Sequence, residues 1–407
     1  MNEFSVFKDS LNQKGWKMLF LMFFLQIFVA LIGRSIAPLG ILIEGDLNLT
    51  KTQIGMLPAA FFLGQSFISI PSGIITDRMG TKRMFLFVAI FTGLSFGIST
   101  FTTQFFILLL LLFFGGAGYG AMQPASNRGI FLWFSNKNRG TAMGIKQTGV
   151  TLGSALAAFL LLPLSNYFGW RNVLLIACSL LIIFGLFIAF KYSNPPNEEK
   201  DSQLEYNLEQ FLLVLKNKAL ILVSLSAMGL SAGQMILNTY IILYTYEHFG
   251  YTLVLSGFLL VISEIAGSFG RVMWGIISDT LFKANRNIVL MIITIITGML
   301  SILFSILPNN TPYWTLVLIV IIFGFCISGF NGIWMNSATE TVSKEHVGTA
   351  SGISLTLGVM GVILGPPVFG FLVDITKAYT VGWLYLSFLM IIVFGLLLLV
   401  RRISVRS

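Results

Sequence analysis

Along this 407-residue chain, apolar runs of membrane-crossing length alternate with short polar breaks. A helix needs about 20 apolar residues to cross a bilayer. The runs predict twelve such helices, at 17–43, 52–76, 83–102, 104–132, 139–164, 171–192, 219–246, 252–278, 286–307, 312–339, 347–374 and 381–400. The first has basic flanks, Lys8, Lys14 and Lys17, as a secretory leader does. No small-x-small cleavage site follows and eleven more spans do, so it reads as a retained helix. A longer polar stretch, Tyr192 to Lys218, splits the series into six and six. Within it Leu204, Leu208, Phe211, Leu212 and Leu215 recur at helical spacing. That pattern predicts an amphipathic helix on the inner membrane surface. The expected fold is an all-α integral membrane protein with two pseudo-symmetric six-helix bundles, 1–192 and 219–407, joined by a linker at 193–218.

Composition narrows the class. Apolar residues make up 56% of the chain and charged residues only 10%, against roughly 25% charged in soluble domains. A soluble enzyme, a secreted scaffold and a disordered protein are all disfavoured. The formal charge is +9, and its placement is informative. With a cytoplasmic N-terminus, the inner segments hold most of the Lys and Arg, while the outer loops carry only Lys51, Arg171 and Lys377. Basic residues collect on the cytoplasmic side of membrane proteins. Both termini are therefore expected in the cytoplasm and the chain in the cell membrane. No polar helix carries a basic face, so no nucleic-acid partner is expected. Cys178 and Cys326 lie in apolar runs and read as small core residues. His248 and His346 fall at opposite membrane faces. No metal site, cofactor or enzymatic constellation is expected.

The two halves echo each other. Gly73-Ile-Ile-Thr-Asp77-Arg78-Met-Gly80-Thr-Lys82-Arg83 follows span two, and Gly275-Ile-Ile-Ser-Asp279 with Lys283 and Arg286 follows span eight. Phe114-Gly115, Gly120, Asn127 and Gly140-Thr-Ala-Met-Gly144 are matched by Phe323-Gly324, Gly329, Asn336 and Gly348-Thr-Ala-Ser-Gly352, each 202 to 209 residues on. Gly169-Trp170 and Gly382-Trp383 extend the echo. A repeat of six-helix units is the architecture of carriers that rock about a site near the midplane.

On these residues the sequence resembles the major facilitator superfamily. Gly73, Asp77, Arg78, Gly80, Lys82 and Arg83 match that superfamily's loop signature, and Gly275 with Asp279 resembles its degenerate second copy. The resemblance covers essentially the whole chain. It implies a secondary transporter working by alternating access, with helices one, four, seven and ten lining the cavity. The signature residues would form a conformational latch. Gly73 would admit a close neighbouring helix, and Asp77 would accept hydrogen bonds from a helix N-terminus or a nearby Arg. Arg139-Gly-Thr-Ala-Met-Gly144-Ile-Lys146-Gln147-Thr148-Gly149 looks like the fifth helix of bacterial anion, cyanate or nitrate carriers. Arg34 in helix one is similar to a feature of anion:cation symporters. The chain departs from those symporters in helix four, with Leu112 and Tyr119 where they place an Arg and an acid. It also lacks a nitrate signature in helices five and eleven.

Ionisable residues inside a span are costly and mark function. Five stand out: Arg34, Arg128, Lys146, Glu264 and Arg271. Four cations against one acid predict a cavity of positive potential and an anionic substrate. Arg34 and Lys146 are expected to touch substrate, and Arg128 to attract it from the inner side. Glu264 is the candidate for proton coupling, with Arg271 two turns away as its possible ion partner. Polar stripes add Tyr119, Gln123 and Asn127 on helix four, Gln234 and Asn238 on helix seven, and Asn331 with Trp334 on helix ten. Any one of these could be interhelical glue instead.

The expected function is proton-coupled symport of a small organic anion, a carboxylate, by a monomer in the lipid bilayer. The alternatives are a multidrug or other efflux carrier working by proton antiport, an inorganic-anion or sugar-acid carrier, and, outside the carriers, a transporter-like nutrient sensor. Counterflow in liposomes separates a carrier from a sensor.

Overall fold

In a computed structural model, the structure describes residues 3–134, 136–194, 214–343 and 346–404. The heart of the expected linker helix, including Leu204, Leu208, Phe211 and Leu212, lies outside the described residues, as does the side chain of Asp77. The described residues are mostly helical, with no strand among them.

The first half contains α1 (Glu3–Gly33), α2 (Ile36–Leu47), α3 (Lys51–Met79), α4 (Thr81–Ser99), α5 (Phe105–Gly120), α6 (Met122–Trp133), α7 (Asn136–Leu156), a π-helical turn (Ala157–Leu161), α8 (Leu162–Phe168) and α9 (Trp170–Lys191). The second contains α10 (Lys218–Phe249), α11 (Leu253–Thr280), α12 (Arg286–Ile306), α13 (Tyr313–Ile327), α14 (Asn331–Thr339), α15 (Val347–Thr376) and α16 (Tyr379–Ser404). Joined across their breaks, these helices reproduce the twelve expected spans. Eleven segments among the described residues are long and apolar enough to cross a bilayer, and α3, 29 residues long, is the remaining rod.

Several rods are broken, and proline accounts for most of the breaks. A proline removes one backbone donor and clashes with the carbonyl four residues back. Pro38 points this clash at Arg34, where α1 gives way to α2. Pro124 points it at Gly120, where α5 gives way to α6. Pro163 follows the π-helical turn in the same way. Helix ten breaks at Ser328–Phe330, the counterpart of the α5–α6 break, with Gly329 in the gap.

The internal repeat is visible in the packing of each half. In the first, α1 packs on α7, α4 on α9 and α5 on α3; in the second, α10 packs on α15, α12 on α16 and α13 on α11. Glycine permits the closest approaches. A Cβ at Gly116 would lie 1.9 Å from the Phe61 carbonyl oxygen, and one at Gly324 would lie 2.4 Å from that of Ser263. A Cβ at Gly153 would lie 2.5 Å from the Ile27 carbonyl oxygen, and one at its counterpart Gly361 would lie 1.8 Å from that of Met228. Cys178 and Cys326 are both free and buried. Large apolar side chains such as Phe190 (82% exposed) and Phe106 (79%) face outward, as a lipid solvent requires.

By internal contacts the chain forms two compact units, 1–42 with 60–204, and 43–59 with 205–407. The expected boundaries followed chain order, whereas the hairpin 43–59 belongs to the second unit. A dense polar cluster holds it there. Lys51 Nζ pairs with both Glu44 and Glu247. Asp374 accepts hydrogen bonds from the Lys51 and Thr52 amides at 2.9 and 2.7 Å. It thereby caps the N-terminus of α3 from another helix. The Tyr379 hydroxyl donates to Glu247 at 2.8 Å. The Tyr240 hydroxyl stands 2.8 Å from the carbonyls of Lys51 and Pro366.

Candidate functional site

The first unit builds a site around Lys146. The residue lies on α7 and is 1% exposed. Its Nζ donates to Gln123 Oε1 at 2.6 Å and to Asn127 Oδ1 at 2.9 Å. Gln123 and Asn127 sit one turn apart on α6, so the helix presents both amide oxygens on one face. No carboxylate lies within 4.0 Å of Lys146 among the described residues. An ammonium has three donors, and the two neutral amides satisfy two of them without cancelling the charge. A charge out of water is costly without a counter-charge. Gln123 is half-buried and Asn127 exposed.

Arg34 occupies the α1–α2 break and is half-buried, its guanidinium 5.0 Å from the centre of the Phe62 ring. No carboxylate lies within ion-pair distance of it among the described residues. Tyr119 is in the core: it is 2% exposed, its ring packs edge-on to Phe61, and a Cβ at Gly33 would strike it. Arg128 is half-buried on α6, next to Asn127.

The second unit carries the acid. Glu264 on α11 is 9% exposed and accepts a 2.7 Å hydrogen bond from Asn238 Nδ2 on α10. The possible Glu264–Arg271 ion pair is not formed. Arg271 Nε instead donates to the Ser328 carbonyl at 3.2 Å, in the break of helix ten. Residues seven apart share a helix face, but packing against α10 and α13 gives each a different partner. Asn331 Nδ2 approaches Gln234 Oε1 at 3.4 Å. Trp334 is buried and donates from Nε1 to Ser354 Oγ at 2.8 Å. These two pairs are bonds between helices.

At the latch sequence, Gly80 has φ +83 and starts α4, a conformation that suits glycine. Arg78 and Arg83 are exposed, and the Lys82 amide donates to Asn194 at 3.1 Å. The close neighbour expected at Gly73 is not found: among the described residues, no atom comes within 4 Å of a Cβ built there or at Gly275. In the second copy, Asp279 forms an ion pair with Arg286, whose Nε also lies 3.3 Å from Glu340.

Two features escaped the sequence reading. One is the Lys51–Glu44–Glu247–Asp374 cluster, whose members looked like ordinary charges at span ends. Glu44 and Asp374 lie near the C-terminal ends of α2 and α15. The other is Gln26 on α1, a neutral amide in an apolar run and fully buried.

Comparisons with known proteins agree with this architecture. The Major Facilitator Superfamily model matches residues 22–366 and 290–406. A probable hexose phosphate transport protein of Chlamydia muridarum is 26% identical, aligned over 84% of this chain and 81% of its own. A probable galactarate/D-glucarate transporter of Bacillus subtilis is 24% identical, over 89% and 87%. A crystal structure of a bacterial homolog of the human lysosomal transporter Spinster, inward-facing and unoccupied, superposes with a TM-score of 0.83 at 16% identity, covering 96% of this chain and 97% of that one. The chain belongs to the Major Facilitator Superfamily and is a multi-pass membrane transporter, not an enzyme.

Proposed function

We propose that this carrier moves a small hydroxylated organic anion, a sugar acid or related carboxylate, across the cell membrane in symport with protons. The observation that carries this reading is Lys146, a buried cation held by two neutral amides with no acid beside it among the described residues. An incoming carboxylate supplies the missing charge and takes the third donor. Arg34 adds a second positive centre in the same unit, and Arg128 a third near the inner end of helix four. The relatives named for galactarate/D-glucarate and for hexose phosphate share this chemistry, since each such solute is an anion with several hydroxyls. In the second unit Gln234, Asn238, Asn331 and Trp334 are the proposed lining residues. The proposed topology has both termini in the cytoplasm, and the carrier is proposed to act as a monomer.

Glu264 is the proposed coupling group. Its only side-chain partner among the described residues is the Asn238 amide. An acid with no fixed cation can take up and release a proton without breaking an ion pair. The sequence Gly73 to Arg83, with Gly275 and Asp279, is the proposed latch, and the Asp279–Arg286–Glu340 network is its second-half form.

The direct test is a thermal-shift screen of purified protein against D-glucarate, galactarate, gluconate, glucose 6-phosphate and inorganic phosphate. A ligand of the native state raises its apparent stability. Stabilisation by the sugar acids, followed by their uptake into proteoliposomes, is the expected result. Stabilisation by none of these anions would remove the anion reading. Glu264→Gln is expected to abolish accumulation driven by a pH gradient while preserving counterflow exchange. An unchanged response to the gradient rejects the coupling role.

A further inference from the structure

Gln26 is the residue of the first unit whose side chain is hardest to explain by folding alone. It is 0% exposed, and among the described residues neither its Nε2 nor its Oε1 has a hydrogen-bond partner. A buried amide left unpaired costs stability, and a leucine of similar volume would avoid that cost. Its position is well defined. A Cβ at Gly149 on α7 would lie 3.2 Å from both Cβ and Cγ of Gln26. Gly149 is one helical turn from Lys146 on the same face. On the other side, Met22, one turn before Gln26 on α1, has its sulfur 3.2 Å from a Cβ at Gly129, two residues past Asn127. The contact of Gly33 with Tyr119 fixes the same antiparallel register between helices one and four. Gln26 therefore stands at the junction of α1, α6 and α7, level with Gln123, Asn127 and Lys146.

We propose that Gln26 is a specificity-determining residue of the anion site, pairing with a hydroxyl on the transported acid when the site is filled. The proposal rests on the reading of Lys146 as the counter-charge of the substrate. An amide offers a donor and an acceptor side by side, the complement of a hydroxyl next to a carboxylate. The ammonium selects for charge, and the amide selects for hydroxylation. A site built to bond a hydroxyl rejects the analogue that lacks it, because its own polar group stays unpaired.

The test compares two dianions of equal carbon count, D-glucarate and its unhydroxylated analogue adipate, on wild type, Gln26→Leu and Gln26→Met. Binding is read by titration calorimetry and stability by thermal unfolding without ligand. The expected result is that either variant weakens D-glucarate about tenfold, leaves adipate unchanged, and unfolds at the same or a higher temperature than wild type. A structural role predicts a different outcome, a lower unfolding temperature with the D-glucarate to adipate ratio unchanged, and that ratio overturns the proposal. Using both Leu and Met keeps the comparison available if one fails to fold. Lys146→Gln separates the two ideas. Loss of both ligands in Lys146→Gln with an unchanged ratio in the Gln26 variants rejects the Gln26 role alone. Wild type binding neither ligand rejects both.

Discussion

Lys146→Gln is expected to lower the affinity for D-glucarate by about 10- to 100-fold and to raise the unfolding temperature of the empty protein. Both signs follow from the same burial. In the empty site the ammonium is 1% exposed and has only neutral partners, so removing the charge relieves a desolvation cost. Glutamine keeps a neutral polar group facing the amides of Gln123 and Asn127. In the filled site the ammonium faces a carboxylate, and a hydrogen bond between charged groups is worth about 1.5–3 kcal/mol. Three kcal/mol corresponds to about a hundredfold in affinity. Lys146→Arg is not expected to restore binding, because a planar fork cannot occupy the space of a compact ammonium. Calorimetric titration with thermal unfolding checks both signs together. Undiminished binding by Lys146→Gln would sink the anion reading.

The second large effect concerns folding. Gly361→Ala would place a Cβ 1.8 Å from the Met228 carbonyl oxygen and 2.7 Å from its carbon. Both are backbone atoms, so no rotamer change can make room, and α15 must move away from α10. Gly116→Ala meets the Phe61 carbonyl in the same way. Overpacking costs typically 1–3 kcal/mol and occasionally more, and these contacts fall at the upper end. Loss of the monodisperse peak in detergent, or a large drop in unfolding temperature, is expected for both. Gly395→Ala is the control: a Cβ there meets nothing within 4 Å. In that helix, alanine is expected to stabilise by about 0.4–1 kcal/mol. Equal behaviour of the three variants would contradict the close-packed crossings.

The rods were legible because one physical rule, about 20 apolar residues per crossing, acts on contiguous sequence. The repeat was legible because the same glycine crossings are required twice. Breaks at Arg34 and Ala121 follow from Pro38 and Pro124, which sit inside runs that apolar content alone reads as continuous. The site was legible in parts. Lys146 stood out as a charge in a span and Gln123 as part of a stripe, but their contact joins two helices 23 residues apart in sequence. Asn127 was read only as a member of the stripe. For Glu264, helical spacing favoured Arg271, and packing chose Asn238 instead. Gln26 gave no signal, since a single amide in an apolar run is unremarkable until its lack of partners is seen. The Lys51 cluster was hidden for a related reason. Lys51 and Asp374 are 323 residues apart, and each alone resembles a solvated loop charge.

The hairpin 43–59 also determines how the gene can be divided. A cut between codons 204 and 205 matches the polar break in the sequence, yet the resulting fragments are not equivalent. The C-terminal fragment lacks Glu44, Lys51 and Thr52, which complete the second unit. Without them Glu247 loses its cation, Asp374 loses the helix end it caps, and Tyr240 loses one of its two carbonyls. The C-terminal half is thus unfinished as an isolated polypeptide, and its missing piece is encoded before residue 60.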